Sequence, residues 1–487
     1  MVDYDLVVIG RTPAGVAAAM LAAHLKARVA LVEQPALADQ TAFLGRQILT
    51  EVGTQLQQGK RSAQLGLWPA TEVCSGLRPS PIWQALRQWE ATVAERLKSW
   101  QTVAIQSSLG IDEISGSGEF CRKPLPAFIV NGRYLRSRAY LLALPEQTTV
   151  PAIPGLEAAG YLTPATLLHS DQPVLQPQQQ LMILGSNPVG VELAQAFGRL
   201  GLKVTLAVAS SQLLPEEDPD SARFIQAQLE AEGVQILTGA DVTQVRLTEN
   251  GRWVSIGNQE LATDAILLAT PPLADLAALN LEAVQVQWDN SGIQLNRRLQ
   301  TTNPRIYACS GHWDNHWAPQ LAVYQAQIAV KNALFWPLLT VDMGGLPSLV
   351  KTDPELVRLG LTEPQAVARY GRDVRVVRQP LQSLPKAQIS GLDSGFCKLI
   401  TRRNGRLLGA HLVGPQAGEW AGAIALALQR QLKIQDLAKL TCPTPTFSEI
   451  IQQTALAWQR QHLAQNPSLQ DWLQGFFDWR RSWTRFK

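Results

Sequence analysis

Short apolar runs, each followed by a glycine turn and a longer alanine- or leucine-rich stretch, open this chain and return about 175 residues later. Residues 6–9 read as a buried strand, 10–15 as a turn, 16–25 as a helix, and 29–32 as a second strand ending at Glu33. The same order recurs as strand 181–184, turn 185–190, helix 191–200 and strand 204–208. Two strand–turn–helix–strand openings predict two doubly wound, Rossmann-like α/β domains rather than a solenoid. Strand signals and a helical run over 321–335 follow. From residue 346 the pattern becomes strands separated by turns at Gly391 and Asn404-Gly405, then helices, which predicts an α+β domain. The expected organisation is therefore 1–149 and 276–345 as two parts of a first domain, 150–275 as a second and 346–463 as a third. Residues 464–487 form an aromatic, basic tail.

Composition narrows the function classes. At 487 residues the chain needs several cores, and 46% apolar with 17% charged residues is globular. A net charge of +3 offers no concentrated basic face, which argues against nucleic-acid binding. The five cysteines (74, 121, 309, 397 and 442) include no CxxC or CxxxxC pair. A disulfide framework, a zinc site and a thiol redox motif are thereby disfavoured, and buried free thiols are expected. Asp3 and Asp5 precede the first apolar run, which reads as a strand rather than a leader. No stretch reaches 18 uninterrupted apolar residues, so a cytoplasmic location is expected.

A dinucleotide turn needs glycine for the tight bend, for the approach of backbone to pyrophosphate and for helix–strand packing. The first turn, Gly10-Arg11-Thr12-Pro13-Ala14-Gly15, has Thr12 in the second place, and Glu33 ends the next strand where an acid bonds a ribose hydroxyl. In the second turn, Gly185 to Gly190, Asn187 holds the approach position and is expected to intrude on a pyrophosphate. The following strand ends Val208-Ala209, with neither an acid nor an arginine for a ribose. The first turn is thus the better dinucleotide site, and the second argues against NAD(P)H.

Several segments in order carry a family resemblance over roughly residues 3–462. They are the first turn with Asp5-Leu-Val-Val-Ile-Gly10, Gly190-Val-Glu192-Leu-Ala194, Leu213-Leu-Pro-Glu-Glu-Asp218 and Thr301-Thr-Asn-Pro-Arg-Ile-Tyr-Ala308. With them go Thr352-Asp-Pro-Glu355, Gly360-Leu-Thr-Glu363 and Leu408-Gly-Ala-His-Leu-Val-Gly414. Together they resemble the pyridine nucleotide-disulfide oxidoreductases, the family of dihydrolipoamide dehydrogenase, glutathione reductase and mercuric reductase. The resemblance implies FAD, nicotinamide and dimerisation domains in a homodimer. It places Gly10, Thr12, Pro13, Ala14, Gly15, Glu33, Gly45, Thr50 and Gly311 at FAD, and Glu449 at the partner's flavin edge.

The departures concern chemistry. Anchored on Gly45, the positions of the family's two redox cysteines hold Thr41 and Arg46. The lysine four residues on is Thr50, while its glutamate partner, Glu192, is kept. The ATG element reads Ala143-Leu144-Pro145, the ribitol-binding aspartate is Gly311, and the C-terminal His-Pro-Thr element begins with Thr444. Without thiolates neither disulfide nor mercuric-ion reduction is expected. Two function classes follow. One is a flavoprotein taking electrons from a non-nicotinamide donor such as ferredoxin, with Arg46, Glu192 and Glu449 at its centre. The other is a non-catalytic homodimeric scaffold. Arg46 either sets its charge beside the isoalloxazine or pairs with Glu192, and both readings are compatible.

Two further features stand outside this pattern. His312 and His316, each followed by tryptophan, suit aromatic packing or a ribitol contact better than a metal, for which no site is expected. In the tail, Trp472, Phe476, Trp479 and Trp483 fall on one helical face, and Arg480, Arg481, Arg485 and Lys487 gather at the C-terminal end. Such a helix either docks on its own dimer or lies peripherally on a membrane surface.

Overall fold

The computed structural model describes residues 2–34, 41–64, 79–107, 110–122, 126–167, 175–185, 187–249, 251–289, 291–309, 312–313, 316–317 and 319–483. The chain divides into two compact units. One comprises residues 1–216 and 226–341, the other 217–225 and 342–487.

The first unit contains both predicted parallel sheets. In the first sheet the strands lie in the order Ile306–Ala308, Ser137–Leu142, Tyr4–Ile9, Val29–Glu33 and Ile111–Ser115, all parallel. Its central strand is apolar on both faces, with Leu6, Val7, Val8 and Ile9 wholly buried, as a strand covered on two sides requires. Phe120 packs edge-on against both Phe128 and Tyr140, at 5.0 and 5.4 Å, and closes one side of this core. The second sheet runs Gln235–Thr238, Lys203–Val208, Gln180–Leu184 and Ala265–Leu268, again all parallel. In each sheet the order reverses beside the strand that feeds a glycine turn, where open α/β sheets form their ligand crevice.

The two helices after these turns begin three residues earlier than the apolar pattern suggests, at Pro13 and Pro188. Proline suits the first helical position, where its missing N–H would have no partner, and Thr12 and Asn187 cap the two helices.

The second unit is built on an antiparallel sheet in the order Pro347–Val350, Glu355–Gly360, Leu407–Gly414, Phe396–Arg402 and Val374–Pro380. Helices Gly422–Gln429 and Glu449–Ala464 cover it, with Ile424, Ile450, Ala455 and Trp458 in the shared core. The segment from Glu217 to Ile225, whose acids the sequence assigns to the nicotinamide domain, clusters with this unit instead. The reason is electrostatic. Lys398, only 2% exposed, holds Asp218 and Asp220 at 2.8 Å and Glu363 at 2.7 Å, and Arg358 pairs with Glu217 at 3.1 Å. Burial alone would pull the lysine down, but its three carboxylate bonds raise it above the ordinary value. His411, fully buried with Nε2 3.2 Å from the Leu361 carbonyl, is pushed down to about 4 by desolvation and is neutral at pH 7.

Candidate functional site

The two glycine turns are built on one plan. Gly10 and Gly185 adopt φ of +112° and +137°. A β-carbon on either would stand 2.1 or 2.0 Å from the carbonyl oxygen of Ala143 or Ala269, so only glycine fits. Thr12 accepts from the Gly15 N–H at 3.1 Å and donates to the Ala143 carbonyl at 2.9 Å. Asn187 accepts from the Gly190 N–H at 3.0 Å and donates to the Thr270 carbonyl at 3.1 Å. The floors repeat as well: Leu141-Leu142-Ala143-Leu144-Pro145 beneath the first turn and Leu267-Leu268-Ala269-Thr270-Pro271 beneath the second. Sequence reasoning missed Ala269 and Thr270 as the second floor, although this near-repeat, differing only at Leu144 and Thr270, was the signal.

The twin geometry corrects one expectation. Asn187 does not project into the pyrophosphate position; its amide is folded back into the turn as a helix cap, just as the Thr12 hydroxyl is. What separates the two turns is their ribose end. Glu33 is there in the first, with Arg11 at 3.8 Å and a Ser115 hydroxyl donating at 3.4 Å, while the second strand ends at Val208 and continues into Ala209. Arg11 also reaches Glu113 at 3.8 Å, a clamp that the sequence did not single out.

The first turn fits an FAD pyrophosphate. Gly10 leaves the bend without a side chain, Pro13 and Ala14 open the helix, Gly15 closes it, and the helix N-terminus presents its dipole. Glu33, about one-third exposed, is free to turn a carboxylate oxygen to a ribose.

The helix Thr41–Gln64 brings the residues expected at the redox positions to the second-turn helix. Gly45 and Arg46 are buried near its start, and Gly53 packs close to the Ala196 backbone. Arg46 Nε lies 3.3 Å from Glu192 Oε2, with the two side chains 6% and 3% exposed, and the guanidinium also stands over Phe43 at 5.3 Å. Thr50 takes no part in this pair; its hydroxyl donates to the Gln47 carbonyl of its own helix at 2.9 Å. The backbone of Thr41 begins the helix, but its side chain lies outside the described residues.

Each of the remaining candidates has its own surroundings. Glu449 Oε1 accepts from the Thr446 N–H at 2.7 Å and closes the start of its own helix, in a segment where Thr444 and Pro445 are exposed. Gly311 lies outside the described residues. His312 and His316 sit on two short antiparallel strands, each opposite a tryptophan. Cys309 and Cys397 are buried thiols pushed up to about 12 by desolvation; Cys121 and Cys442 are half-buried, and Cys74 lies outside the described residues. Among the described residues no cluster of metal-ligating side chains occurs, and no helix is long and apolar enough to cross a membrane.

Comparison with known proteins agrees with this architecture. Residues 4–333 match the family model of pyridine nucleotide-disulphide oxidoreductases and residues 346–455 its dimerisation domain. The chain is 30% identical to a mercuric reductase of Staphylococcus aureus over 94% of this chain and 83% of that one. It is 29% identical to a dihydrolipoyl dehydrogenase of Thermus scotoductus, over 95% and 98%. Among solved structures, the HOCl-induced flavoprotein disulfide reductase RclA of Escherichia coli superposes with a TM-score of 0.78 at 26% identity, over 94% of this chain and 100% of that one. LpdA of Mycobacterium tuberculosis, at 22% identity, shares the fold with a TM-score of 0.81, over 93% and 99%. With both family domains matched in sequence and in fold, the chain belongs to the pyridine nucleotide-disulphide oxidoreductases.

Proposed function

We propose that this protein is an FAD-binding homodimer that has left disulfide chemistry and accepts electrons from a donor other than NAD(P)H, a small electron carrier of the ferredoxin kind. The buried Arg46–Glu192 pair carries the reading. An arginine there supplies neither a nucleophile nor a transferable electron, and its fixed cation favours a reduced, anionic flavin. In this reading Gly10, Thr12, Ala14, Gly15 and Glu33 hold the cofactor, which supplies the redox chemistry. Arg46 contributes charge, and Glu192 keeps that charge in place. The case against NAD(P)H now rests on the Val208-Ala209 strand end alone, since Asn187 is turned away.

The purified protein is expected to show the visible absorbance of an oxidised flavin, to bleach with dithionite, and to stay oxidised under anaerobic NADH or NADPH. Rapid bleaching by either nucleotide would restore the nicotinamide route. A colourless protein that takes up no added FAD would leave the scaffold reading.

The tail is assigned to the dimer in the same proposal. Helix Pro467–Trp483 has no buried residue, yet Trp472, Phe476, Trp479 and Trp483 pack ring against ring in sequence, the first pair stacked and the others tilted, with centroids 5.7, 6.0 and 4.8 Å apart. A continuous aromatic ridge left in water is unfavourable and calls for a cover. A chain ending at Gln465 is expected to have a dimer dissociation constant raised at least about tenfold by analytical ultracentrifugation. An unchanged constant would remove the tail from the dimer contact.

A further inference from the structure

The loop after helix Pro319–Leu334 has a construction that neither the flavin site nor the dimer reading uses. Phe335, Trp336, Leu338 and Leu339 are 58%, 74%, 75% and 44% exposed, one contiguous apolar knob. The backbone beneath them is tied down. Asn332, 1% exposed, donates from Nδ2 to the carbonyls of Arg298 and Leu339 at 2.9 and 2.8 Å and accepts the Leu339 N–H at 3.0 Å. Backbone bonds from Phe335 to the Lys331 carbonyl and from Val341 to the Arg297 carbonyl tie both ends. A buried, fully bonded amide at the base of an exposed apolar loop fixes its shape before anything binds.

The base is cationic. Lys331, Arg297 and Arg298 are exposed there, and among the described residues none of the three is ion-paired. The nearest acid in sequence, Asp342, accepts from the Gly344 N–H at 2.9 Å.

We propose that this knob seats the protein on an anionic lipid bilayer. Trp336, Phe335, Leu338 and Leu339 enter the interfacial layer, while Lys331, Arg297 and Arg298 face the phosphates. Tryptophan favours the interfacial layer, and binding of this kind sums buried apolar area and attraction to anionic headgroups. A protein partner would suit the apolar residues equally; three exposed cations at the base, against the neighbouring carboxylate of Asp342, favour the lipid surface. This assignment is independent of the flavin reading and of the tail.

The test is co-sedimentation of the full chain with vesicles of phosphatidylcholine and with vesicles of equal parts phosphatidylcholine and phosphatidylglycerol. Binding is expected only to the second, weakening as salt is raised. Trp336→Ser/Leu338→Ser should lower it at least about tenfold, and Arg297→Glu/Arg298→Glu at least about fivefold per reversed charge. Both variants should keep the wild-type melting temperature, since the replaced side chains are exposed. Asn332→Ala, with the apolar residues intact, should bind more weakly. The chain ending at Gln465 should still bind. Absence of binding to anionic vesicles overturns the proposal, as does binding that disappears with the tail but survives the knob substitutions. A shift in oligomeric state by light scattering on Trp336→Ser/Leu338→Ser, with lipid binding unchanged, would make the knob a protein–protein contact.

Discussion

Lys398→Met is expected to destabilise the second unit by about 3–5 kcal/mol, the loss typical of removing one partner from a buried ion pair. The methionine fills the space of the lysine stem. What it leaves behind is Asp218, fully buried, with its compensating ammonium gone. Burial drives the Asp218 carboxyl up; His411, the Lys398 bond and the Glu363 N–H together hold it down, so loss of the lysine removes a main counterweight. Asp220 and Glu363, 33% and 40% exposed, can return to water, and Asp220→Asn should cost under about 1 kcal/mol. Chemical denaturation of the full chain checks both variants. A Lys398→Met protein within about 1 kcal/mol of wild type would mean that the cluster contributes little to stability.

Arg46→Met should cost about 3 kcal/mol or more in the first unit, because it leaves Glu192 at 3% exposure beside an apolar neighbour. Arg46→Lys, which keeps the charge, should recover part of that. A second readout separates a structural role from a functional one. If Arg46 acts only as the mate of Glu192, the midpoint potential of bound flavin is the same in wild type, Arg46→Lys and a refolded, stable Arg46→Met. The proposed role predicts that Arg46→Met lowers the potential and that Arg46→Lys largely restores it, since a nearby cation stabilises the reduced, negatively charged ring. Equal potentials across the three proteins would reduce Arg46 to a space-filling ion pair.

The type and order of elements were legible because strand, turn and helix each carry their own period, and the two openings share it. Helix starts were displaced by three residues because the apolar period begins only after the proline and the cap. The direction of the Asn187 side chain was not legible at all. An amide at that position either projects or folds back, and the choice depends on a carbonyl at Thr270. The Arg46–Glu192 pair was visible as one of two readings, since a lost lysine and a retained glutamate leave an obvious vacancy for a cation. The Lys398 cluster was hidden for a different reason. It joins residues 180 positions apart, and no local pattern announces a buried lysine on a strand that otherwise reads as apolar.

The outermost strand of the first sheet has a consequence for synthesis. Ile306 pairs with Tyr140, and the whole second sheet, from Gln180 to Leu268, is encoded between them. On the ribosome the inner domain therefore has all its strands before the outer one receives its last. Until Ile306–Ala308 emerges, Ser137–Leu142 presents an unpaired edge of apolar backbone. Early translation products ending before residue 306 should thus fold their second half first and remain prone to pairing with one another through the first.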